Sequence, residues 1–281
     1  MRIQAKICRA ISKKFPLPVH PFNLNNDGVM SYAQWQYTKG ADTLNFFVPF
    51  SSKEDMFLGK TVLDLGCGAA GKTLYYATLG AAKVYGAEIL KKYRAEAEAL
   101  ASQLGLTDVF EFVTADSAAM PFPDSSIDTI IMNDTMEHVA RPEATLRECL
   151  RVLRPGQRIY INFPPYYHPY GAHLSDAIGI PWVHVLFSEA ALIEVYKDAI
   201  KHLPDADERL AFRVSKGDGE CLSYINRMTI RRFRNILQGL GIHPAYYREV
   251  PLRKITTPLA RLPILKEGFV KMVVCIIEKP S

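Results

Sequence analysis

The sequence predicts an α/β fold in which a largely parallel β-sheet is covered by helices on both faces. Two observations support this fold class. Short apolar segments alternate with helical patterns between residues 61 and 163, and a glycine-rich turn follows the first apolar segment. The 281 residues are 48% hydrophobic and 22% charged, which is typical of a globular chain long enough for one large domain with an insertion.

Composition excludes several other classes of protein. No apolar segment approaches the roughly 20 residues that cross a bilayer, and the basic N-terminus lacks the apolar stretch of a secretory signal. The five cysteines are scattered without CxxC spacing, which predicts a reducing, cytoplasmic location and no metal site. Residues 227–281 carry 11 Lys/Arg against 3 Asp/Glu. This excess is either a solvated basic face or a contact surface for an anionic substrate, a membrane or nucleic acid.

A helical segment is predicted over residues 1–57. Apolar residues four apart, with basic residues between them, indicate an amphipathic helix over residues 2–15. Pro16 ends this helix, because proline cannot donate into the helical hydrogen-bond ladder. Residues 35–48 are again rich in apolar side chains and predict helices that lead into the core.

Residues 58–165 are predicted to form the core of the fold, with five strands and three helices. The strands are expected at Thr61–Leu65, Lys83–Ile89, Val109–Thr114, Thr129–Asn133 and Arg158–Phe163. The helices are expected at Lys72–Leu79, Lys91–Leu104 and Pro142–Leu153.

The alternation stops after Pro164, so residues 166–228 are predicted to be an insertion that contains a helix from Ser188 to His202. Residues 229–281 are expected to complete the sheet, because helical spacing returns at Thr229 and two apolar strands follow it. These late strands are Ala245–Val250 and Phe269–Ile277.

The glycine-rich turn spans Gly66–Thr73 and reads GCGAAGKT. It matches both the GxGxxG pattern of dinucleotide-binding folds and the GxxxxGKT pattern of phosphate-binding loops. Both patterns describe a chain that turns tightly into a helix, where glycines let a ligand approach the backbone amides. The motif alone therefore leaves both interpretations open.

Acidic residues at the strand ends favour a third interpretation. Asp64 lies two residues before the first glycine, where its carboxylate would repel a pyrophosphate but could bind an ammonium group. Glu88 ends the second strand, where it can accept hydrogen bonds from ribose hydroxyls. Asp116 follows the third strand and could accept from the exocyclic amine of a base. A ligand with an ammonium group, a ribose and adenine but no phosphate is S-adenosylmethionine.

Six motifs, taken in order, resemble the class I S-adenosylmethionine-dependent methyltransferase superfamily, in its small-molecule, methyltransferase type 11-like branch. The first is Val62–Gly68, and Glu88 and Asp116 follow it. The later motifs are Met120–Asp128, Asn133–Val139 and Leu153–Gly156. The resemblance covers about residues 58–163.

This resemblance implies a Rossmann-like, doubly wound sheet of seven strands whose last strand is antiparallel, with a helical N-terminal segment and a lid inserted after strand five. It implies S-adenosyl-L-methionine as cofactor and S-adenosyl-L-homocysteine as its product. The residues implied to bind it are Asp64 at the ammonium group, Gly66 and Gly68 at the methionine portion, Glu88 at the ribose, Ile89, Asp116 and Ser117 at the adenine, and Asn133 and Asp134 beneath the sulfonium. Lys72 and Thr73 depart from the family pattern, and we interpret them as the start of a surface helix.

A general base is needed when the acceptor keeps its proton at neutral pH, and histidine suits that role. The candidates are His173 and His184 in the insertion and His138 after the fourth strand. Each of them could instead be a packed structural histidine. The residues expected to wall the acceptor pocket are Tyr166, Tyr167, His168 and Trp182.

The expected partner is a small or medium organic acceptor, such as a lipid, terpenoid, polyketide or sugar, that is methylated on oxygen or carbon. Asn133–Met136 differs from the NPPY pattern of enzymes that methylate amide nitrogens, and no interleaved cation–aromatic array indicates nucleic-acid binding. The basic N-terminus and the segment Leu252–Leu265 leave room for peripheral membrane contact. The sequence does not indicate the oligomeric state.

Two alternatives from other classes remain. A catalytically idle cofactor-binding subunit would carry the same cofactor motifs. A P-loop nucleotidase would place Lys72 on phosphates and Asp134 near a metal ion.

Overall fold

The computed structural model describes residues 2–216, 219–263 and 265–281. Residue 1, residues 217 and 218 of the predicted insertion, and residue 264 of the basic segment lie outside the described residues. The chain divides into two compact units. The sheet unit comprises Tyr32–Phe163, Arg231–Val250 and Met272–Ser281. The helical unit comprises Met1–Ser31, Pro164–Ile230 and Pro251–Lys271.

The strands confirm the predicted fold class. They are β1 Thr61–Leu65, β2 Lys83–Glu88, β3 Phe110–Thr114, β4 Ile127–Asn133, β5 Leu153–Phe163, β6 Val214–Lys216, β7 Glu220–Leu222, β8 Tyr246–Pro251 and β9 Val270–Glu278. Seven of them form one sheet in the order β3-β2-β1-β4-β5-β9-β8. Strands β1 to β5 are parallel, and β9 runs antiparallel to β5. Strands β6 and β7 form a separate antiparallel hairpin.

Strand β5 begins at Leu153, earlier than the predicted start at Arg158. Leu153 pairs with Ile127, and the register shifts before Arg158 pairs with Thr129. Residues 154–157, which separate the predicted helix from the predicted strand, are therefore an irregular part of a longer strand. Gly156 lies in this irregular part with φ of +72°, a conformation that glycine adopts without steric strain.

The helices have bounds close to those that the sequence predicts. They are α1 Ile3–Ser12, α2 Pro21–Asn26, α3 Tyr32–Leu44, α4 Lys53–Phe57, α5 Gly71–Ala77, α6 Arg94–Gln103, α7 Pro142–Val152, α8 Val183–Leu186, α9 Glu189–Ile200, α10 Ala206–Arg213, α11 Ile230–Gly239, α12 Thr257–Arg261 and α13 Lys266–Phe269. The first turn of the helix expected from Lys91 is a separate 3-10 turn. The sequence patterns do not indicate the short helices α2, α4, α8, α10, α12 and α13 or the β6–β7 hairpin. None of the described helices has the length and apolar character that a bilayer crossing needs.

In the sheet unit, apolar side chains of the sheet pack against those of the helices. Val62, Ile131 and Tyr160 form one buried cluster with Phe47 and Phe57. Strands that are covered on both faces consist of nearly continuous apolar residues, which explains the sequence pattern of β1 and β4.

In the helical unit, α1 packs on α9, with Ala5 and Cys8 buried against Leu192 and Val195. Burial of this apolar face contributes to the stability of the unit.

A buried ion network also holds the helical unit together. Asp176 lies between Arg209 and Arg213, with carboxylate-to-guanidinium distances of 3.0 and 3.2 Å, and all three side chains are buried. The Tyr196 hydroxyl donates to the same carboxylate at 2.7 Å. Arg209 also pairs with Asp205 at 2.8 Å. Such a network is sensitive to the loss of any member, because a buried charge would be left without its partner.

Candidate active site

Polar side chains lie together at the carboxyl ends of four neighbouring strands in the sheet unit. The register pairs Asp64 with Gly86 and Ile131, so Asp64, Glu88 and Asn133 share one face of the sheet. Asn162 pairs with Asn133 and lies on the same face of β5. The carboxyl edge of a parallel sheet is where ligands bind in this class of fold. The structure therefore brings the predicted cofactor residues of β1, β2 and β4 together.

The glycine turn after β1 is packed tightly against its neighbours. Gly66 has φ of +75°, and a Cβ atom there would lie 2.5 Å from Cγ2 of Thr135. A Cβ atom on Gly71 would lie 1.9 Å from the carbonyl oxygen of Ala33 in α3. Any side chain at either position would displace the turn or the segment packed against it.

Gln36 of α3 holds both ends of this turn, a role that the sequence does not reveal. Its side-chain amide donates to the carbonyl of Cys67 at 3.2 Å. Its carbonyl oxygen accepts from the N–H of Gly71 at 3.2 Å. Gln36 is buried, so these two bonds satisfy backbone groups that water does not reach.

Glu88 binds the same turn from β2. Its carboxylate accepts from the N–H of Gly68 at 3.1 Å and from the N–H of Leu90 at 3.0 Å. Each carboxylate oxygen has two lone pairs, so both oxygens keep acceptor capacity for ligand hydroxyls. Ile89, next in sequence, is 64% exposed and offers an apolar surface beside the carboxylate.

Asp64 is buried beneath the turn and accepts a hydrogen bond of 2.6 Å from the hydroxyl of Thr73. Burial raises the pKa of Asp64 to about 6, while the Thr73 bond and the Lys72 charge act in the opposite direction. Thr73 is fully buried. Lys72 and Thr73 do lie at the start of a helix, α5, but the assignment of Thr73 to the surface is wrong, because its hydroxyl points inward to Asp64.

The segment after β4 is held in an uncommon conformation. Asp134 has φ of +51°, in the left-handed region that Asp tolerates better than most residues. Its N–H donates to the carbonyl of Asn162 at 2.9 Å. Its carboxylate accepts from the Asn133 amide at 2.9 Å and pairs with Lys72 at 3.3 Å. Strained backbone of this kind clusters at functional sites.

Asp116 and Ser117 lie at the end of β3 with partners of their own. The Asp116 carboxylate accepts from the N–H of Ala118 at 2.9 Å and pairs with Arg141 at 2.7 Å. The Ala118 bond, with a smaller contribution from Arg141, lowers the pKa of Asp116. The Ser117 hydroxyl lies 2.9 Å from that of Thr145. Asp116 is exposed, so its carboxylate remains accessible from solvent.

His138 belongs to the sheet unit and lies beside the buried Glu137. Nε2 of His138 is 3.8 Å from Oε1 of Glu137. Burial, helped by the Asp134 charge, raises the pKa of Glu137 well above its ordinary value. A carboxyl group with a strongly shifted pKa beside a histidine is common in functional sites. The same arrangement also occurs in structural ion pairs, so it does not identify a catalytic residue by itself.

The histidine and tyrosines at the start of the insertion cluster in the helical unit. The His184 ring lies 4.8 Å from the Tyr166 ring and 6.5 Å from the Tyr167 ring. Burial lowers the pKa of His184, and the nearby backbone of Tyr166 opposes this shift. Neither ring nitrogen has a hydrogen-bond partner of good geometry among the described residues. His184 is thus neutral at pH 7 and able to accept a proton.

This cluster lines a small cavity of about 30 Å³ within the helical unit. The Glu189–Arg227 ion pair, with a distance of 2.5 Å, forms part of its wall. Leu192 and Ile225 contribute apolar surface. The cavity has room for about one water molecule and polar groups to bind it.

The other predicted lid residues have different neighbours. The backbone carbonyl of His173 accepts from Arg213, and its ring lies 6.0 Å from that of Tyr224. Nδ1 of His168 accepts from the N–H of Tyr170 at 3.2 Å. Trp182 donates to the carbonyl of Gly268 at 3.3 Å. All of these residues lie in the helical unit.

Two further buried polar groups in the sheet unit escaped the sequence analysis. Both polar atoms of the Asn162 side chain and the hydroxyl of Tyr76 are buried, with no hydrogen-bond partner among the described residues. Buried polar atoms without protein partners usually bind water or a ligand. The position of Asn162 at the end of a predicted strand was the only available signal, since asparagine is rare in buried strands.

Residues 63–161 match the model of a protein family described as a methyltransferase domain. The match covers about a third of the chain and confirms, for this part, the resemblance to a methyltransferase domain.

Two relatives illustrate the range of the similarity. The probable chloroplastic tocopherol O-methyltransferase of Oryza sativa subsp. japonica is 34% identical over 102 residues, 36% of this chain and 28% of that protein. The ubiquinone/menaquinone biosynthesis C-methyltransferase of Salmonella arizonae is 26% identical over 179 residues, 60% of this chain and 69% of that protein. The chain spans between 26% and 38% of the length of the first curated relatives that it matches.

Among solved structures, a geranyl diphosphate methyltransferase in complex with S-adenosylmethionine aligns with a TM-score of 0.53. The alignment has 14% sequence identity and covers 86% of this chain and 85% of that chain. This likeness concerns the fold alone and agrees with the seven-stranded sheet.

Proposed function

We propose that the chain is an S-adenosylmethionine-dependent methyltransferase that acts on an oxygen or carbon of a small or medium organic acceptor. The observation that carries this proposal is the row of Asp64, Glu88 and Asn133 along one face at the carboxyl ends of adjacent strands. The row borders a glycine turn whose backbone is already held in place by Glu88 and Gln36.

The chemistry of this donor set fits the cofactor. The Asp64 carboxylate would bind the ammonium group, directly or through water, and Glu88 would bind ribose hydroxyls with its remaining lone pairs. The exposed Ile89 side chain would cover one face of the adenine. The bound cofactor supplies an activated sulfonium methyl group, so the protein mainly has to align acceptor and donor.

The same contacts argue against a nucleotidase. Lys72, which would bind phosphates in a P-loop, instead pairs with Asp134. Thr73, which would bind the metal ion, donates to Asp64. Three carboxylates around the turn, those of Asp64, Glu88 and Asp134, would also repel a polyphosphate.

For an acceptor that keeps its proton at neutral pH, we propose His184 as the general base, with His173 and His138 as the remaining candidates. His184 is supported by its place beside the rings of Tyr166 and Tyr167, and by a lowered pKa that favours the neutral imidazole. The tyrosines beside it, Tyr166 and Tyr167, would contact an apolar or aromatic acceptor. We propose a cytoplasmic location, in agreement with five cysteines that form no disulfide among the described residues.

Calorimetric titration of the full chain with S-adenosylhomocysteine, ATP and NAD tests the cofactor assignment. We expect saturable binding of S-adenosylhomocysteine and no comparable binding of ATP or NAD. Preferential binding of ATP or NAD would reject the proposal. Glu88→Gln should weaken the binding of S-adenosylhomocysteine, whereas Glu111→Gln, on the surface of β3, should not.

Turnover separates an enzyme from an idle cofactor-binding subunit. Labelled S-adenosylmethionine would be incubated with acceptors that represent phenols, sterols, quinols, sugars and activated carbon acids. We expect methyl transfer to one of these classes. Tight binding of S-adenosylhomocysteine without transfer to any of them would favour the idle subunit.

A further inference from the structure

Exposed apolar side chains are concentrated in the helical unit. Of the 18 exposed large hydrophobic side chains among the described residues, 14 belong to it. Single exposed apolar residues are ordinary, but a concentration of them on one part of a molecule marks an interaction surface.

Helix α1 shows how this surface is built. Ile3, Ile7 and Ile11 are 77%, 48% and 37% exposed, and their spacing of four places them along one face of the helix. Ala5 and Cys8, on the other side of the helix, are buried in the core of the unit. The isoleucine face is therefore not used for folding.

Basic side chains flank the isoleucines. Residues 2–14 contain five Lys/Arg and no Asp/Glu. Arg2 and Arg9 pair with Glu194 and Asp198 of α9, which fixes the orientation of α1 on the unit. Lys6, Lys13 and Lys14 are exposed beside the isoleucine face.

A second segment has the same character. Residues 252–266 contain four Lys/Arg and no Asp/Glu. Within it Ile255 is 84% exposed and Leu262 is 50% exposed. Arg253, Lys254 and Arg261 are exposed as well.

Hydrogen bonds connect both segments to the exposed turn of α8, where Val185 and Leu186 are 57% and 63% exposed. On one side, the N–H of Ser188 donates to the side chain of Gln4 in α1 at 3.0 Å. On the other side, Trp182 donates to the carbonyl of Gly268 at 3.3 Å. The next residue, Phe269, accepts a hydrogen bond from the N–H of Leu252. We call α1, α8, residues 252–263 and residues 265 and 266 together the basic apolar surface.

We propose that the basic apolar surface docks the protein onto an anionic membrane leaflet. An apolar helix face bordered by lysines is the pattern of helices that lie in the membrane interface, where the apolar side chains enter the acyl region and the lysines meet anionic headgroups. The excess of positive charge selects an anionic partner, and the row of isoleucines requires that this partner also accept apolar side chains. This proposal is independent of methyl transfer and of the cofactor.

Flotation of the full chain with vesicles tests the proposal. The vesicles would contain phosphatidylcholine alone or phosphatidylcholine with 25% phosphatidylglycerol, at about 0.05 and 0.5 M salt. We expect flotation with the anionic vesicles at low salt and at least about tenfold weaker partitioning with neutral vesicles or at high salt. Failure to float with anionic vesicles at low salt would overturn the proposal.

Two variants and a matched control locate the contact. The triple change Ile3→Ser, Ile7→Ser, Ile11→Ser should reduce partitioning at least about tenfold, because it removes the side chains that would enter the acyl region. The triple change Lys6→Gln, Lys13→Gln, Lys14→Gln should remove the preference for anionic vesicles. The control carries three serines at exposed apolar positions of the sheet unit, which are Val48, Leu58 and Leu104.

Unchanged flotation of the isoleucine variant would overturn the assignment to α1. Light scattering provides a second discriminating result. The wild-type chain could form concentration-dependent dimers and fail to bind vesicles, and the isoleucine variant could lose these dimers. That combination would show that a second copy of the chain covers the surface instead of a membrane. Circular dichroism and thermal unfolding of each variant establish folding without reference to the cofactor, so failure here is distinguishable from failure of the methyltransferase proposal.

Discussion

The two units bury their polar groups in different ways. In the sheet unit, Glu88 and Gln36 bond the backbone of one short turn, and every partner belongs to that turn or to its immediate surroundings. In the helical unit, Asp176 is enclosed by Arg209 and Arg213, which come from a helix that lies about thirty residues further along the chain. Both sets of contacts join residues some thirty positions apart, so the difference lies in the groups that are paired. The binding turn is held by side chains that bond backbone groups, whereas the helical unit depends on buried side-chain charges that neutralise one another.

The largest effect is expected from Asp176→Asn, which tests the buried ion network. The change leaves two buried guanidinium groups without their shared carboxylate, so the free energy of unfolding should fall by about 3–5 kcal/mol. Urea denaturation of the full chain measures this loss. Glu98→Gln, which removes an exposed ion pair with Arg94, is the matched control and should change stability by about 0.5 kcal/mol or less. A loss below about 1 kcal/mol for Asp176→Asn would contradict the role of the network.

The next effect concerns catalysis. His184→Ala should reduce turnover about a hundredfold while the affinity for S-adenosylhomocysteine stays the same, because the change removes a proton acceptor and no cofactor contact. His173→Ala should have a smaller effect, since it is the backbone carbonyl of His173 that binds Arg213. If His184→Ala kept near-wild-type turnover and His138→Ala lost about a hundredfold, the general base would be His138 of the sheet unit.

A third effect tests the turn itself. Glu88→Gln should weaken the binding of S-adenosylhomocysteine about thirtyfold, because hydrogen bonds to a charged carboxylate are roughly twice as strong as neutral ones. Calorimetry measures this loss, and a circular dichroism spectrum like that of the wild type confirms the fold. Affinity within about twofold of wild type would show that Glu88 only holds Gly68 and Leu90.

The smallest effect is a pH dependence. Because burial raises the pKa of Asp64 to about 6, the carboxyl group is mostly ionised at pH 7 and mostly protonated at pH 5. Only the ionised form attracts an ammonium group, so the affinity for S-adenosylhomocysteine should fall about tenfold between pH 7 and pH 5. Asp64→Asn should bind weakly and with little dependence on pH over this range. If Asp64→Asn showed the same pH dependence of affinity as the wild type, the titrating group would be a residue other than Asp64.

Local patterns in the sequence are sufficient to predict the sheet and the strand-end residues. Asp64 and Glu88 could be identified because a charged residue at the end of an apolar strand is unusual and has a definite place at the edge of the sheet. The seven strands follow from the alternation of strand and helix patterns, since that alternation reflects burial of both faces of a sheet.

Groups that depend on contacts between distant segments could not be predicted in this way. Gln36 lies on a helix some thirty residues before the turn that it holds, and helical spacing does not show that a polar residue points inward. Thr73 was assigned to a surface because its neighbour is a lysine, yet its hydroxyl meets Asp64. Arg209 and Arg213 are four residues apart on α10, but this helical spacing does not indicate that both side chains meet Asp176 some thirty residues earlier.

The bonds from Glu88 to Gly68 and Leu90 need no ligand, because both partners belong to the chain itself. The loop has therefore already lost the conformational freedom that a mobile loop would lose on binding, and the encounter needs no ordering step. We expect rapid-mixing experiments to show single-exponential association whose rate constant rises in proportion to ligand concentration, without a plateau from slow loop closure.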